Sequence, residues 1–234
     1  IQPAIVEAGI EGLWTPSLDF RLGTSGCQHN CIACGHVCPT AAIRPLALDE
    51  RMGTGPFSQA GPIRIGTAFV DRGRCLPWAM GTPCIVCQEN CPVSPKAITT
   101  RTVLEPLAGL DRLKVSRTGS RSIHADLPET RRPLAGGDYF LIGPAGIQNA
   151  LRITGLQSGR IELADDPALA ALEPETAASV HVLLQQPFVD PNQCIGCGVC
   201  QHECPVRGRA AIRVTSENET RSRSHALLAG AGPS

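Results

Sequence analysis

A chain of 234 residues with 21 basic and 21 acidic side chains, and so no formal net charge, is long enough for one large domain or two small ones. It lacks the basic excess that nucleic-acid binding draws on. No apolar run approaches the roughly 18 residues of a membrane span and no basic-then-apolar leader opens the chain, so a soluble protein is expected, with the start at Ile1 leaving room for a leader or upstream segment removed before it. Aromatic residues make up 3%, which is thin for conventional core packing. The 12 cysteines point instead to bound metal acting as core, so that its loss should unfold the chain.

In chain order, Ile1-Gln2-Pro3 reads like Ile43-Arg44-Pro45, as though the outgoing strand of a further, upstream module stood at the start. The first cysteine set is Cys27, Cys31, Cys34 and Cys38, closed by Pro39. Its first three members spell CxxxCxxC, the spacing of radical S-adenosylmethionine enzymes. The long series of βα repeats that should confirm that reading is absent, and Cys38-Pro39 adds a fourth ligand and a closing proline. The second set is Cys75, Cys84, Cys87 and Cys91 before Pro92, its first loop enlarged by the eight residues 76–83. Pro77 and Trp78 in that loop read as ordinary packing residues rather than a shield over a cofactor.

About ninety residues without cysteine separate Ile98 from Phe188, far beyond a usual loop of about 4–6 residues, so this insert must carry structure of its own. Residues 139–142 and 180–184 read as strands. Leu151, Ile153, Ile161 and Leu163 alternate around Gln157-Ser158-Gly159 as a hairpin. The segment 164–178, rich in alanine and acids, reads as a short helix beginning near Asp166-Pro167, and 117–132 as a polar surface loop. Gly143-Pro144-Ala145-Gly146 is a turn rather than a dinucleotide fingerprint; with no serine elbow or phosphate loop, no catalytic machinery is expected.

The third set, Cys194, Cys197, Cys200 and Cys204 before Pro205, lies in CIGCGVCQHECP. This matches the CxxCxxCxxxCP run by which bacterial ferredoxins hold [4Fe-4S] clusters. Gly196 and Gly198 let the backbone approach closely, and Pro205 turns it away. Phe69-Val70-Asp71 precedes Cys75 at the interval by which Phe188-Val189-Asp190 precedes Cys194, and Ala42-Ile43, Ala97-Ile98 and Ala211-Ile212 follow the three closing prolines. Each module therefore reads as a short strand, a metal-wrapping loop, a short helix and a second strand. The expected fold class is α+β: repeated bacterial-ferredoxin-like [4Fe-4S] modules, loop-rich, with a β-rich insert. Residues 1–100 form a ferredoxin-like region with two cysteine motifs, 101–187 the insert and natural docking element, 188–215 a third motif packing back on the first region, and 216–234 a tail, solvated or draped over a partner.

All twelve cysteines are thus candidate ligands to three [4Fe-4S] clusters, with a fourth cluster if an upstream module exists. In two-cluster ferredoxins the fourth cysteine of each run binds the other run's cluster, so modules pair and three leave one unpaired. Zinc-stabilised interaction modules usually present two separated CxxC pairs. Disulfide frameworks do not need triplets closed by proline, and CxxCH, the haem attachment motif, does not occur. An iron-sulfur enzyme or sensor with a site-differentiated cluster is the remaining alternative. His29, His36 and His202 read as surface groups or as hydrogen-bond donors behind the ligands, while His124, His181 and His225 have no metal context. Arg72, Arg74, Arg207 and Arg209 border modules two and three, where they would raise cluster potential, meet an acidic partner or stay solvated.

Gly12-Leu13-Trp14-Thr15-Pro16, Cys34-Gly35-His36-Val37-Cys38-Pro39, Cys75-Leu76-Pro77-Trp78, Pro83-Cys84-Ile85-Val86-Cys87, Cys194-Ile195-Gly196-Cys197-Gly198 and Cys204-Pro205-Val206 together resemble the polyferredoxin-type electron-transfer proteins associated with periplasmic nitrate reductase and methylamine utilisation. The resemblance covers about residues 1–100 and 186–214. It implies a non-catalytic electron carrier, a subunit of a hetero-oligomeric redox complex whose partner is a membrane quinol dehydrogenase or a terminal oxidoreductase. It further implies four clusters and export in the folded state to the periplasm or the outer face of the membrane, the cytoplasm being the alternative. By the same resemblance the inner two of four modules pair. Cys27, Cys31 and Cys34 would then share a cluster with Cys91, and Cys75, Cys84 and Cys87 one with Cys38. Cys194, Cys197 and Cys200 would await a cysteine from a missing module or another subunit, whose cluster Cys204 would serve.

Overall fold

The computed structural model describes residues 2–3, 10, 13–14, 16–21, 26–117, 121–125, 137–144, 146–157, 159–165 and 176–220. The chain divides into two compact units, Ile1–Cys75 with Val86–Thr99 and Pro187–Ser234, and Leu76–Ile85 with Thr100–Gln186. The enlarged loop of the second cysteine set thus goes with the long insert. Among the described residues no helix is long and apolar enough to cross a membrane.

The described helices of the cysteine-bearing unit are single turns, α1 (Ala33–His36), α2 (Leu48–Met52), α4 (Val86–Glu89) and α5 (Val199–Glu203), while α3 (Leu76–Ala79) belongs to the other unit. The prolines that follow each set's last cysteine cannot continue a helix. Strands β1 (Gln2–Pro3) and β2 (Pro16–Ser17) pair antiparallel. Strand β3 (Thr67–Val70), which leads into module two, pairs with β11 (Ile212–Thr215), which leaves module three, from Thr67 opposite Thr215 to Val70 opposite Ile212. The converse pairing also holds, because β4 (Ile98–Pro106) leaves module two beside β10 (Thr176–Val189), which leads into module three. Two matching bonds seal the exchange: the Asp71 amide donates to the Ala211 carbonyl at 2.7 Å, and the Asp190 amide to the Ala97 carbonyl at 2.8 Å. Modules two and three are therefore related by a pseudo-twofold swap of strands.

Among the described residues module one has no such partner. Ala42-Ile43, expected to begin a second strand, lie in irregular chain, and Ile43-Arg44-Pro45 does not share the strand conformation of Gln2–Pro3. The likeness in wording is therefore not a likeness in structure.

In the second unit β10 runs through a closed ring. It pairs with β5 (Leu113–Arg117), which pairs with β6 (Ser122–Ala125), then β9 (Arg160–Leu163), β8 (Leu151–Gln157) and β7 (Tyr139–Ile142), which returns to β10. The N-terminal part of β10 serves β5 through Thr176–Ala178, and Ser179–Val182 serve β7. All pairings in the ring are antiparallel, and closure leaves no strand edge within it unpaired. Alternation fills the interior: Ile161 and Leu163 are buried while Arg160 and Glu162 are exposed, and Ile123, Leu141, Leu151, Val180 and Val182 join them in one aliphatic core. Each such side chain contributes about 1.5–3 kcal/mol on burial. The expected reliance on metal for a core is thus wrong for this unit, which packs with Leu, Ile and Val and needs few aromatics.

Residues 139–142 and the hairpin 151–163 stand where the alternation put them. The segment 117–132 does not form one loop, because Ser122–Ala125 is a buried barrel strand. Of the expected helix 164–178, residues 176–178 open β10 and 166–175 lie outside the described residues. The start of the tail is bound down: the Arg64 amide donates to Thr220 Oγ1 at 2.7 Å, and Asn218 Nδ2 to the Pro191 carbonyl at 3.1 Å. Residues 221–234 lie outside the described residues.

Candidate metal centre

The loop of set three begins at a tight turn. The Asp190 carboxylate accepts from the Asn192 amide at 2.9 Å, and its carbonyl accepts from the amides of Gln193 and Cys194 at 3.2 and 3.0 Å. Asp71 makes the same turn before Cys75, its carbonyl accepting from Arg74 and Cys75 at 3.1 and 3.0 Å. A short polar side chain that bonds its own backbone suits this position in both modules. Beyond the turn, Gly196 (φ 70°) and Gly198 (φ 74°) bend the chain through left-handed backbone. A Cβ at Gly196 would lie 2.5 Å from the Gly66 nitrogen, and one at Gly198 would lie 2.2 Å from the Phe20 ring. Only glycine permits both the turn and the contact.

These bends, with α5, bring Cys194, Cys197 and Cys200 around one cavity, and the fourth cysteine on it is Cys91. Ala68, Pro92, Ala97, Ile98, Ile195 and Val214 complete an apolar lining. Burial pushes the Cys197 thiol up to about 11, helped by the neighbouring sulfurs of Cys194, Cys91 and Cys27 and opposed by the Val199 amide. Burial likewise holds Cys200 well above the ordinary thiol range, with Cys197, Cys194, Cys87 and Cys91 adding to the rise. Sulfurs crowded in an apolar cavity repel one another as thiolates, and a shared cation centre relieves that repulsion by deprotonating them outright. The donor set therefore fits a polynuclear sulfur-bridged cluster. A single zinc ion would have to gather four sulfurs to about 2.3 Å of one point. On this cavity the Ala68 amide donates to Cys194 Sγ, and away from it the Ala211 amide donates to Cys204 Sγ, both at 3.4 Å.

The position of Cys91 overturns the pairing implied by the resemblance. Module two exchanges strands with module three rather than module one, so its fourth cysteine falls beside Cys194, Cys197 and Cys200 and not beside Cys27, Cys31 and Cys34. Cys91 brings a fourth sulfur of this chain to that cavity. The Phe-Val-Asp repeat, shared by modules two and three and missing from module one, was the sequence signal for that choice. Helices α4 and α5, which carry Cys87 and Cys200, pack on each other. Cys75 and Cys204 are buried, and Cys84 and Cys87 are half-buried. Arg74 ties the loop of Cys75 to the chain after Cys204, donating to the Arg207 and Arg209 carbonyls at 3.3 and 2.9 Å. Arg72 stacks over the Phe188 ring, 5.8 Å from its centre. Two of the four arginines weighed for charge thus have structural work.

Set one is more open. Cys34 is exposed, and Cys27, Cys31 and Cys38 are half-buried. The Cys27 amide donates to the Cys197 carbonyl at 2.8 Å, which joins this loop to that of set three. Burial raises the Cys27 thiol against the charge of Arg51, with Cys31 and Cys34 adding to the rise. At Cys38, donors from the Ile43 amide, the Thr40 hydroxyl and the Thr40 and Ala42 amides hold the thiol below the ordinary range.

Among the motif histidines, the His202 ring bonds the Phe20 carbonyl through Nδ1 at 2.7 Å, and His36 bonds the Leu46 carbonyl through Nε2 at 3.3 Å. His29 Nε2 is buried with no hydrogen-bond partner among the described residues. Three residues escaped sequence reasoning. Phe20 covers Gly198, Arg21 donates to five carbonyls between Gln201 and Gly208, and Arg51 stands at Cys27. None sits within a cysteine motif, so spacing could not have found them.

A family model described as a 4Fe-4S binding domain matches residues 185–206. No curated protein and no solved structure matches the chain. The matched segment carries Cys194, Cys197, Cys200 and Cys204, and it supports a ferredoxin-like iron-sulfur protein with an electron-transfer role and a [4Fe-4S] cofactor at those cysteines.

Proposed function

We propose that the chain is a multi-centre electron relay, holding one [4Fe-4S] cluster on Cys194, Cys197, Cys200 and Cys91 and another on Cys75, Cys84, Cys87 and Cys204. Cys27, Cys31 and Cys34 hold a third, with Cys38 the remaining thiolate of that set. The single observation that carries this reading is Cys91 seated on the cavity of Cys194, Cys197 and Cys200. Cys204 closes module three as Cys91 closes module two, and the strand exchange makes the two assignments reciprocal.

The bound cofactor supplies reversible one-electron uptake and release. The residues of the chain bind it, space it and exclude water. The Cys27–Cys197 backbone bond sets module one beside module three, and the α4–α5 contact sets module three beside module two. Set three therefore stands in the middle of the relay, with sets one and two at its ends. Exposed Cys34 and Val37 make set one the end that meets a redox partner. By the resemblance, that partner is a membrane quinol dehydrogenase or a terminal oxidoreductase in a hetero-oligomer at the outer face of the membrane.

The native chain should bind about twelve irons, four per cluster, and Cys91→Ala should lower this to about eight. Twelve irons in that variant would end the reciprocal assignment; a colourless zinc protein would end the whole reading. The Cys38 sulfur is occupied by hydrogen bonds from Thr40, Ala42 and Ile43, which favours a second reading for set one alone, a cluster with one iron not ligated by this set. In that case Cys38→Ala retains the third cluster; loss of that cluster would make Cys38 its fourth ligand.

A further inference from the structure

Among the described residues, Arg51 is a buried cation without a carboxylate counter-ion. Its side chain is 3% exposed, and Nη1 donates to the Ile63 carbonyl at 2.5 Å, while the Ile63 amide donates to the Arg51 carbonyl at 3.1 Å. The residue is therefore clamped by Ile63 from side chain and backbone alike. Nη2 is buried with no hydrogen-bond partner among the described residues. The neighbouring acids are engaged elsewhere: Glu50 forms its ion pair with Arg44, and an Asp49 carboxylate oxygen accepts from the Glu50 amide. No carboxylate pairs with Arg51 among the described residues.

A guanidinium always carries its charge, and a buried charge that no opposite charge faces is too costly for a fold to keep. Something negative has to face it. The groups it does face belong to set one: it lies beside the Cys27 sulfur and beside His29, whose Nε2 is also buried and unpartnered. Two nitrogen groups without partners at one thiolate loop mark the place of an acceptor with negative charge. A [4Fe-4S] core with its thiolates is such a group, and it gains a further negative charge on reduction.

We propose that Arg51 is the built-in counter-ion of the cluster on Cys27, Cys31 and Cys34, and that it raises that cluster's reduction potential. The inference rests on the assignment of a cluster to those three cysteines. A fixed positive charge at low dielectric favours the more negative, reduced state over the oxidised one. Donation from Nη2 to a sulfur works in the same direction. Set three, by contrast, is met at Cys194 by the neutral Ala68 amide, so Arg51 acts on one end of the relay.

The test is a potentiometric titration of the full chain followed by electron spin resonance, with the signal of set one identified as the one lost in Cys31→Ala. In Arg51→Gln that signal should need a more negative potential, its reduced-to-oxidised ratio at fixed potential falling at least tenfold, or about 59 mV for a one-electron couple. Arg51→Lys, which keeps the charge, should stay closer to the native midpoint. A native-like midpoint in Arg51→Gln, with iron content and circular dichroism unchanged, would overturn the proposal; so would a Lys variant shifted as far as the Gln variant. If Arg51→Gln loses the cluster while Arg51→Lys keeps it, the counter-ion role stands. If both lose it alike, shape rather than charge holds the site and the proposal fails. A native chain with no signal sensitive to Cys31→Ala would instead remove the cluster assignment itself, before Arg51 is changed.

Discussion

The two units of this chain solve the same problem with different materials. The barrel unit buries Leu141, Ile123, Ile161 and Val180 to 0% exposure and closes its strands into a ring. The cysteine unit buries mostly small residues, Ala68, Ala97, Ala210 and Ala211, with Ile98, Ile195 and Ile212. Its helices are at most five residues long, well short of the length at which a helix holds itself together in water. Beside those residues it buries the sulfurs of Cys75, Cys194, Cys197, Cys200 and Cys204. The contrast teaches that low aromatic content has two different consequences here: aliphatic packing replaces rings in one unit, and in the function proposed above a metal centre takes the place of a core in the other.

Removing iron under reducing conditions should break the molecule along this division, with the largest effect of any perturbation considered. Hydrogen exchange should show protection collapsing at the Asp71 and Asp190 amides, which bridge modules two and three, and persisting at Ile123 and Ile161 inside the barrel. Metal-dependent small domains lose their fold outright when the ligands are left without metal. Simultaneous loss of protection in the barrel would mean that the two units share one source of stability.

Leu141→Ala asks the converse question. It should cost the barrel about 2–5 kcal/mol, read as a lower denaturant midpoint for its β signal, while the iron content and visible spectrum stay native. A variant that loses iron in proportion to barrel stability would erase the comparison. Arg74→Ala, the mildest of the three, removes a clamp on the Arg207 and Arg209 carbonyls at the surface of the cysteine unit. A neutral exchange of protein for water hydrogen bonds makes this worth about 0.5–1.5 kcal/mol per bond at most, seen as faster iron release to a chelator. No change in release rate would show that the strand exchange alone holds modules two and three.

The motif residues were legible because cluster ligation imposes spacing: thiolates on one wrapped loop must recur at short fixed intervals, and glycines must stand where the backbone bends against Gly66 and Phe20. Tyr139–Ile142 and the hairpin around Gly159 were legible because a half-buried strand alternates with period two. Ser122–Ala125 was not, since its polar flanks and single isoleucine carry no clear alternation in so short a segment; its burial comes from its neighbours β5 and β9. Ala42-Ile43 looked like Ala97-Ile98 and Ala211-Ile212, yet only the latter two have a strand to join. The structure of Arg51 was hidden for a different reason. A lone arginine on a short helix gives no sign of being buried until the chain folds Ile63 over it.

From the sequence by itself came the chemistry: twelve cysteines in three runs closed by proline, the matched 4Fe-4S segment, and an insert too long to be a loop. These are local demands, set by the reach of a few residues around a cofactor or by the two faces of a strand. Which run completes which cavity was decided only in three dimensions, by β3 lying on β11 and β10 on β4, and so were the closure of the barrel and the placing of Arg51 at Cys27. Those are agreements between segments from tens of residues to more than a hundred apart, and no spacing within a motif encodes a partner that far away. Cys91 makes the point most directly, since its place in the second run is plain from its neighbours while the sulfurs it joins belong to the third.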